Sequence, residues 1–187
     1  MSRSLPYRSG CRALLAVLCL AGAAAAEPQA TIPASLQVPA GQPLVMAARA
    51  VGVQIYVCSA DAHEPPQWQW KFKAPEAELF NAQGERVGSH YAGPTWEALD
   101  GSRVVGTVVA RDDGPDPTAI AWLLLSAKMR AGNGRLDDVQ SIQRVYTAGG
   151  KAPATACTKE HDGEVARTPY TATYLFYGSA PQAAPAH

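Results

Sequence analysis

The chain has 187 residues, 47% hydrophobic and 17% charged, with 16 basic and 16 acidic side chains. That length suits a single domain with a substantial core, and the balanced charge gives no electrostatic footprint for nucleic acid. The first residues carry a separate signal. Arg3, Arg8 and Arg12 accompany a short apolar run, Ala13 to Leu20, and Ala24-Ala25-Ala26 then offers a small-residue cleavage site before Glu27. Residues 1–26 are expected to be a cleaved signal peptide, and the protein to be exported to the periplasm or the extracellular space. The apolar run is too short to span a bilayer, and no transmembrane stretch follows it. Removing the three arginines leaves 13 basic and 16 acidic side chains, a net charge of −3 that offers nothing to an anionic membrane.

Cys11 and Cys19 leave with the signal, so Cys58 and Cys157 remain. In an oxidising compartment these two are expected to pair. A closed loop of roughly 100 residues would contribute about 4–5 kcal/mol in the chain-entropy account. There is no CxxC spacing to support a redox role.

Residues 27–42 are rich in proline and alanine and read as an extended N-terminal segment, and residues 43–177 read as one β domain. Pro43 to Met46 and Val53 to Cys58 look like two strands of a hairpin broken at Val51-Gly52. Within the second run, Val53, Ile55 and Val57 share one face, and Gln54, Tyr56 and Cys58 the other. A polar loop with Pro65-Pro66 follows. Trp68, Trp70 and Phe72 then recur at period two, which fits either core filling or a stacking platform for sugar rings. Glu76 to Phe80 and Glu85 to Gly88 form a hairpin around Asn81 to Gly84.

His90 to Gly106 (HYAGPTWEALDGSRVVG) reads as three strands of a meander, bent at Gly93-Pro94 and Asp100-Gly101. Ile120 to Leu125 (IAWLLL) is a strand expected to be buried on both faces. Val139 to Thr147 is ambiguous: Val139, Ile142, Val145 and Tyr146 fit a helix face, while its β-branched and aromatic content favours a strand. Tyr170 to Tyr177 alternates and is the last strand, before an expected disordered tail at residues 178–187. The sum is an all-β sandwich or barrel of about nine to ten mostly antiparallel strands.

With those strands in place, QIYVC at Gln54, APEAELF at Ala74, the His90 to Gly106 segment, AIAWLLL at Ala119, IQRVYTAGGKAPATAC at Ile142 and the closing YTATYLFY are in view. Together they resemble the DUF3455 family of secreted bacterial and fungal proteins of unknown function. Ala121 departs from the pattern, where proline is expected. The resemblance implies export, a β-rich domain, the Cys58–Cys157 pair and a strand at Val139 to Thr147. It carries no activity and hence no catalytic residue.

Candidate chemistry must therefore come from the residues. His90, Glu97 and Asp100 are the catalytic candidates, with His90 as a general base oriented by a carboxylate. Ser102 lacks the strained turn of a nucleophile elbow. Tyr91, Trp96, Trp68 and Trp70 are the ligand-binding candidates. The disulfide would bring the loop holding His63 toward that holding His161, making those two metal-ligand candidates, although no dedicated ligand spacing is present. The glycines near Lys151 do not form a phosphate loop, and no cofactor is expected. The leading expectation is a non-catalytic exported module that binds a glycan or a small molecule. A secreted hydrolase or lyase centred on His90 is one alternative, and a structural or stress-related protein without a ligand is another.

Overall fold

A computed structural model describes residues 30–179. The expected signal peptide, and residues 180–187 of the expected tail, lie outside that range. Eight strands follow in chain order: β1 (Leu44–Ala60), β2 (Trp68–Phe80), β3 (Arg86–Tyr91), β4 (Thr95–Ala98), β5 (Arg103–Asp112), β6 (Trp122–Ala131), β7 (Val139–Gly149) and β8 (Val165–Gly178). Each pairs antiparallel with the next, and β8 pairs back onto β1 to close a barrel. The fold is all-β as expected, and the architecture is the barrel.

The count is eight because runs read as separate strands are continuous. Gly52 lies inside a continuous 17-residue β1. A Cβ there would sit 2.1 Å from the Glu76 carbonyl oxygen, so the glycine permits close strand approach rather than a turn. Pro75 lies inside a continuous β2, opposite Gln54 and next to a bulge at Ile55/Tyr56. Pairing of β2 with β3 spans only Ala77 to Phe80, so the missing proline N–H interrupts no ladder on that side.

The ambiguous Val139 to Thr147 run is strand β7, and its helix-like spacing comes from bulges. The register shifts between Val139 and Ser141, and again between Val145 and Ala148. Val139 and Ile142 therefore both reach the main core across an extra residue, whereas Val145 packs in a second cluster. Tyr146, at φ 51°, occupies the second bulge.

That second cluster explains the IAWLLL run. Leu123 and Leu125 pack with the interior core, while Trp122 and Leu124 pack with Leu36, Ile32 and Val38 of the N-terminal segment. This segment, with a single 3-10 turn at Ala34–Leu36, is held by Gln143 Nε2 donating to the Leu36 carbonyl at 2.6 Å. The strand is buried on both faces because the barrel fills one and this strap covers the other.

One end of the barrel is plugged and the other is open. Met46, Leu79, Val104, Leu136, Val139 and Phe176 belong to the core that fills the plugged end. There the β4–β5 turn is latched to the β6–β7 connection. Asp100 accepts from Ser102 N at 2.9 Å, Ser102 Oγ at 2.6 Å and Arg135 N at 2.8 Å, and Ser102 Oγ accepts from Leu136 N at 3.1 Å.

At the open end β1, β2 and β8 overrun the shorter strands. The connection between β7 and β8 is pinned to this overhang by Cys58–Cys157 (Cα–Cα 5.5 Å) and by Cys58 N donating to the Glu164 carbonyl at 2.9 Å. Trp68, Trp70 and Phe72 share a face on the overhang, yet they do not fill the core. Trp68 and Trp70 are half-buried, Trp70 Nε1 donates to the Thr155 carbonyl at 2.9 Å, and Phe72 is 55% exposed.

Leu36→Ala should destabilise the protein by about 2–3 kcal/mol in chemical denaturation, because it empties a fully buried site under the strap. Replacing both Cys58 and Cys157 with serine should cost about 4 kcal/mol in the same assay, given a sequence separation of 99 residues.

Candidate functional site

The open end leads into a cavity of about 800 Å³ inside the barrel. Its size lies within the range of about 300–1,000 Å³ typical of small-molecule sites. β1 contributes Gln54 and Tyr56 to its lining, and the neighbouring Ala48 and Ala50 belong to the packed core. His90 stacks on Trp96, with ring centroids 4.4 Å apart and planes 11° apart, and both meet the edge of Tyr174. These three rings line the cavity together with Gln54, Tyr56, Leu123, Leu125 and Arg144. At the mouth lie Phe72, Lys73, Gly93, Pro94, Val108, Arg111, Lys151 and Ala152.

His90 is buried, and its Nδ1 lies 2.8 Å from the Thr95 carbonyl. A carbonyl only accepts, so Nδ1 carries the proton and Nε2 keeps a lone pair. Burial pushes the imidazole pKa down to about 3, partly offset by the Thr95 bond and helped by the nearby Arg144 charge. A ring held this way is a poor base at neutral pH, where general-base catalysis wants a pKa near the working value.

The carboxylates expected beside His90 lie elsewhere. Neighbouring residues of a strand face opposite sides, so Glu97 and Tyr91 turn outward while Trp96 and His90 turn inward. Tyr91 Oη donates to Glu97 Oε2 at 2.6 Å, and that bond, with burial second, raises the phenol pKa. Asp100 belongs to the plugged end. Its carboxyl is pulled down to about 2 by the Ser102 hydroxyl bond first and by the Arg135 N–H bond next. Of the His90 to Gly106 candidates, only His90 and Trp96 meet at the cavity.

Trp68 and Trp70 do not line it. His63 Nδ1 is 2.6 Å from Asp61 Oδ2, and His161 Nδ1 is 3.0 Å from Thr158 Oγ1, so each imidazole is engaged within its own loop. Among the described residues no group of three or more His, Cys, Asp or Glu side chains is placed to hold a metal ion.

Sequence reasoning passed over several residues that matter here. Arg144 sits on the interior wall between Leu123 of β6 and Tyr174 of β8. Gln54, almost fully buried, leaves Nε2 without a partner, as does Trp96 with Nε1. The shared face of Gln54, Tyr56 and Cys58 was visible as an alternation. Nothing in the sequence marked that face as the inner one.

A family model described as a protein of unknown function, DUF3455, matches residues 39–178. The chain belongs to the DUF3455 family. The match runs from the end of the strap through β8, so it takes in the whole barrel and every residue that lines the cavity. No curated protein and no solved structure matches the chain. For this DUF3455 barrel the chemistry must be argued from the cavity itself.

The buried His90 has a direct consequence for acid stability. Its folded pKa of about 3 lies below the ordinary 6.5. Between those values the unfolded chain takes up a proton that the native chain refuses. The stabilisation is therefore complete above pH 6.5, falls as pH drops, and is fully lost near pH 3. The loss should be on the order of 5 kcal/mol. Denaturation midpoints measured from pH 7 to pH 4 should fall steeply, and His90→Phe should flatten that slope.

Proposed function

We propose that this protein is an exported, non-catalytic binding module that holds a small, largely apolar molecule inside the barrel. The cavity carries this reading. It is open at one end, has a suitable volume, and is lined by Phe72, Val108 and Leu123 over the buried rings of Trp96 and His90. Sites of this kind combine an apolar wall with a few placed polar groups. Arg144 is such a group, whereas Gln54 Nε2 and Trp96 Nε1 are buried within the wall. The intramolecular disulfide supports an oxidising compartment, in keeping with export to the periplasm or beyond.

A glycan is the less favoured ligand. The indoles that would stack on a sugar, Trp68 and Trp70, lie on the overhang, and the cavity wall is mainly hydrocarbon and aromatic. A hydrolase or lyase centred on His90 is also less favoured. The ring faces neither Glu97 nor Asp100, and its low pKa suits an acceptor of hydrogen bonds rather than a base.

N-phenylnaphthylamine, a neutral dye that brightens in apolar sites, should bind with a stoichiometry of one per chain. Leu123→Trp fills the cavity from its wall and should weaken the dye at least tenfold with the fold retained. Absence of dye binding, together with no thermal shift across a library of small apolar compounds, would leave the structural, ligand-free reading in place.

A further inference from the structure

We propose that the ligand is an organic anion, carrying a carboxylate or similar head group that pairs with Arg144 while its apolar body lies against Leu123 and Phe72. This inference rests on the cavity-binding reading above and specifies its ligand class.

Four cationic side chains line the cavity, and among the described residues no carboxylate joins them. At the mouth the positive charge is partly answered. Arg111 Nη2 lies 3.0 Å from Asp113 Oδ1. Lys151 donates to the Pro117 carbonyl, and its charge helps lower the Asp116 pKa, although hydrogen bonds from Thr118 dominate that shift. Arg144 differs. It projects from the wall between Leu123 and Tyr174, half-buried, and its Nε and Nη2 donate to the Ala121 carbonyl at 3.1 and 2.9 Å. No carboxylate pairs with it among the described residues.

A guanidinium has five N–H donors in a planar fork, and one carbonyl satisfies only part of it. Removing such a charge from bulk water without a counter-ion is costly, and an anion brought by a ligand offsets that cost. The field of the unpaired charge reaches the surrounding rings. It disfavours the protonated imidazole of His90 and favours ionisation of the Tyr56, Tyr170 and Tyr174 phenols, against the larger effect of burial. The two bonds to Ala121 also fix the orientation of the fork, so little side-chain freedom remains to be lost on binding. A positive, partly dry pocket inside a chain whose expected mature form has more acids than bases selects for ligand charge.

Two dyes with the same ring framework separate charge from burial. Anilinonaphthalene sulfonate is an anion and N-phenylnaphthylamine is neutral. The wild-type protein should bind the sulfonate at least about tenfold more tightly, as expected for a charge-assisted bond in a low-dielectric site. Arg144→Met should remove that preference and bring the two dyes within about twofold of each other. Arg144→Lys keeps the charge without the fork and should retain part of the preference. Equal binding of the two dyes by the wild-type protein would overturn the charge assignment while leaving the cavity reading intact, and requires no variant to fold. Failure of both dyes to bind would overturn the cavity reading and this inference with it.

Discussion

Closure of β8 onto β1 is the constraint on which the rest of the structure depends. From Arg49 to Val57, β1 is paired on both edges, with β2 on one side and β8 on the other. A closed barrel has no free edge to protect, and its side chains divide strictly into inward and outward sets. A strand as long as β1 cannot stay inside a barrel whose β4 has only four residues, so β1, β2 and β8 run past the rim together. The overhang is thus a product of closure with unequal strands. It gives the β7–β8 connection a surface to rest on, and Cys58 and Cys157 meet there.

Closure also turns interior packing into a volume problem along the barrel axis. Leucine, valine and phenylalanine side chains, with Leu136 entering from a loop, fill the plugged end. The latch of Asp100, Ser102 and Arg135 closes that end, and the buried Ser102 hydroxyl satisfies the buried Leu136 N–H. Nearer the mouth the side chains leave a cavity open. Gln54 Nε2 and Trp96 Nε1 lack partners there, and the fork of Arg144 is only partly used. Incomplete packing and incomplete pairing coincide at one end of the barrel, where binding would use both.

Much of this was legible in the sequence, and the failures have physical causes. Alternation in YTATYLFY correctly implied that Tyr170, Ala172, Tyr174 and Phe176 share a face, which is the interior. The same alternation in VQIYVC was visible, but intuition puts valine and isoleucine inside. Here Gln54 and Tyr56 face the lined cavity, while Cys58 on the same face lies on the overhang. Gly52 read as a break since sequence cannot tell a turn from a close strand approach. Arg144 was missed because an arginine in a strand ordinarily faces water, and two bulges in β7 decide which face it takes. The clustered candidates of His90 to Gly106 were misleading for the opposite reason. Proximity in sequence suggested a site, yet the period of two sends Glu97 outward, and the length of β4 carries Asp100 to the far end.

The same low-dielectric surroundings act in opposite ways on a histidine and an arginine. Burial removes charge from a group that can shed its proton, and His90 responds by staying neutral. An arginine in a protein keeps its charge and can only seek a partner. The Ala121 carbonyl supplies dipolar solvation but no compensating charge. The positive charge on the inner wall is then permanent, while the histidine across the barrel offers only a lone pair and a ring face. On the proposed reading, such an arrangement would discriminate among molecules by charge and shape.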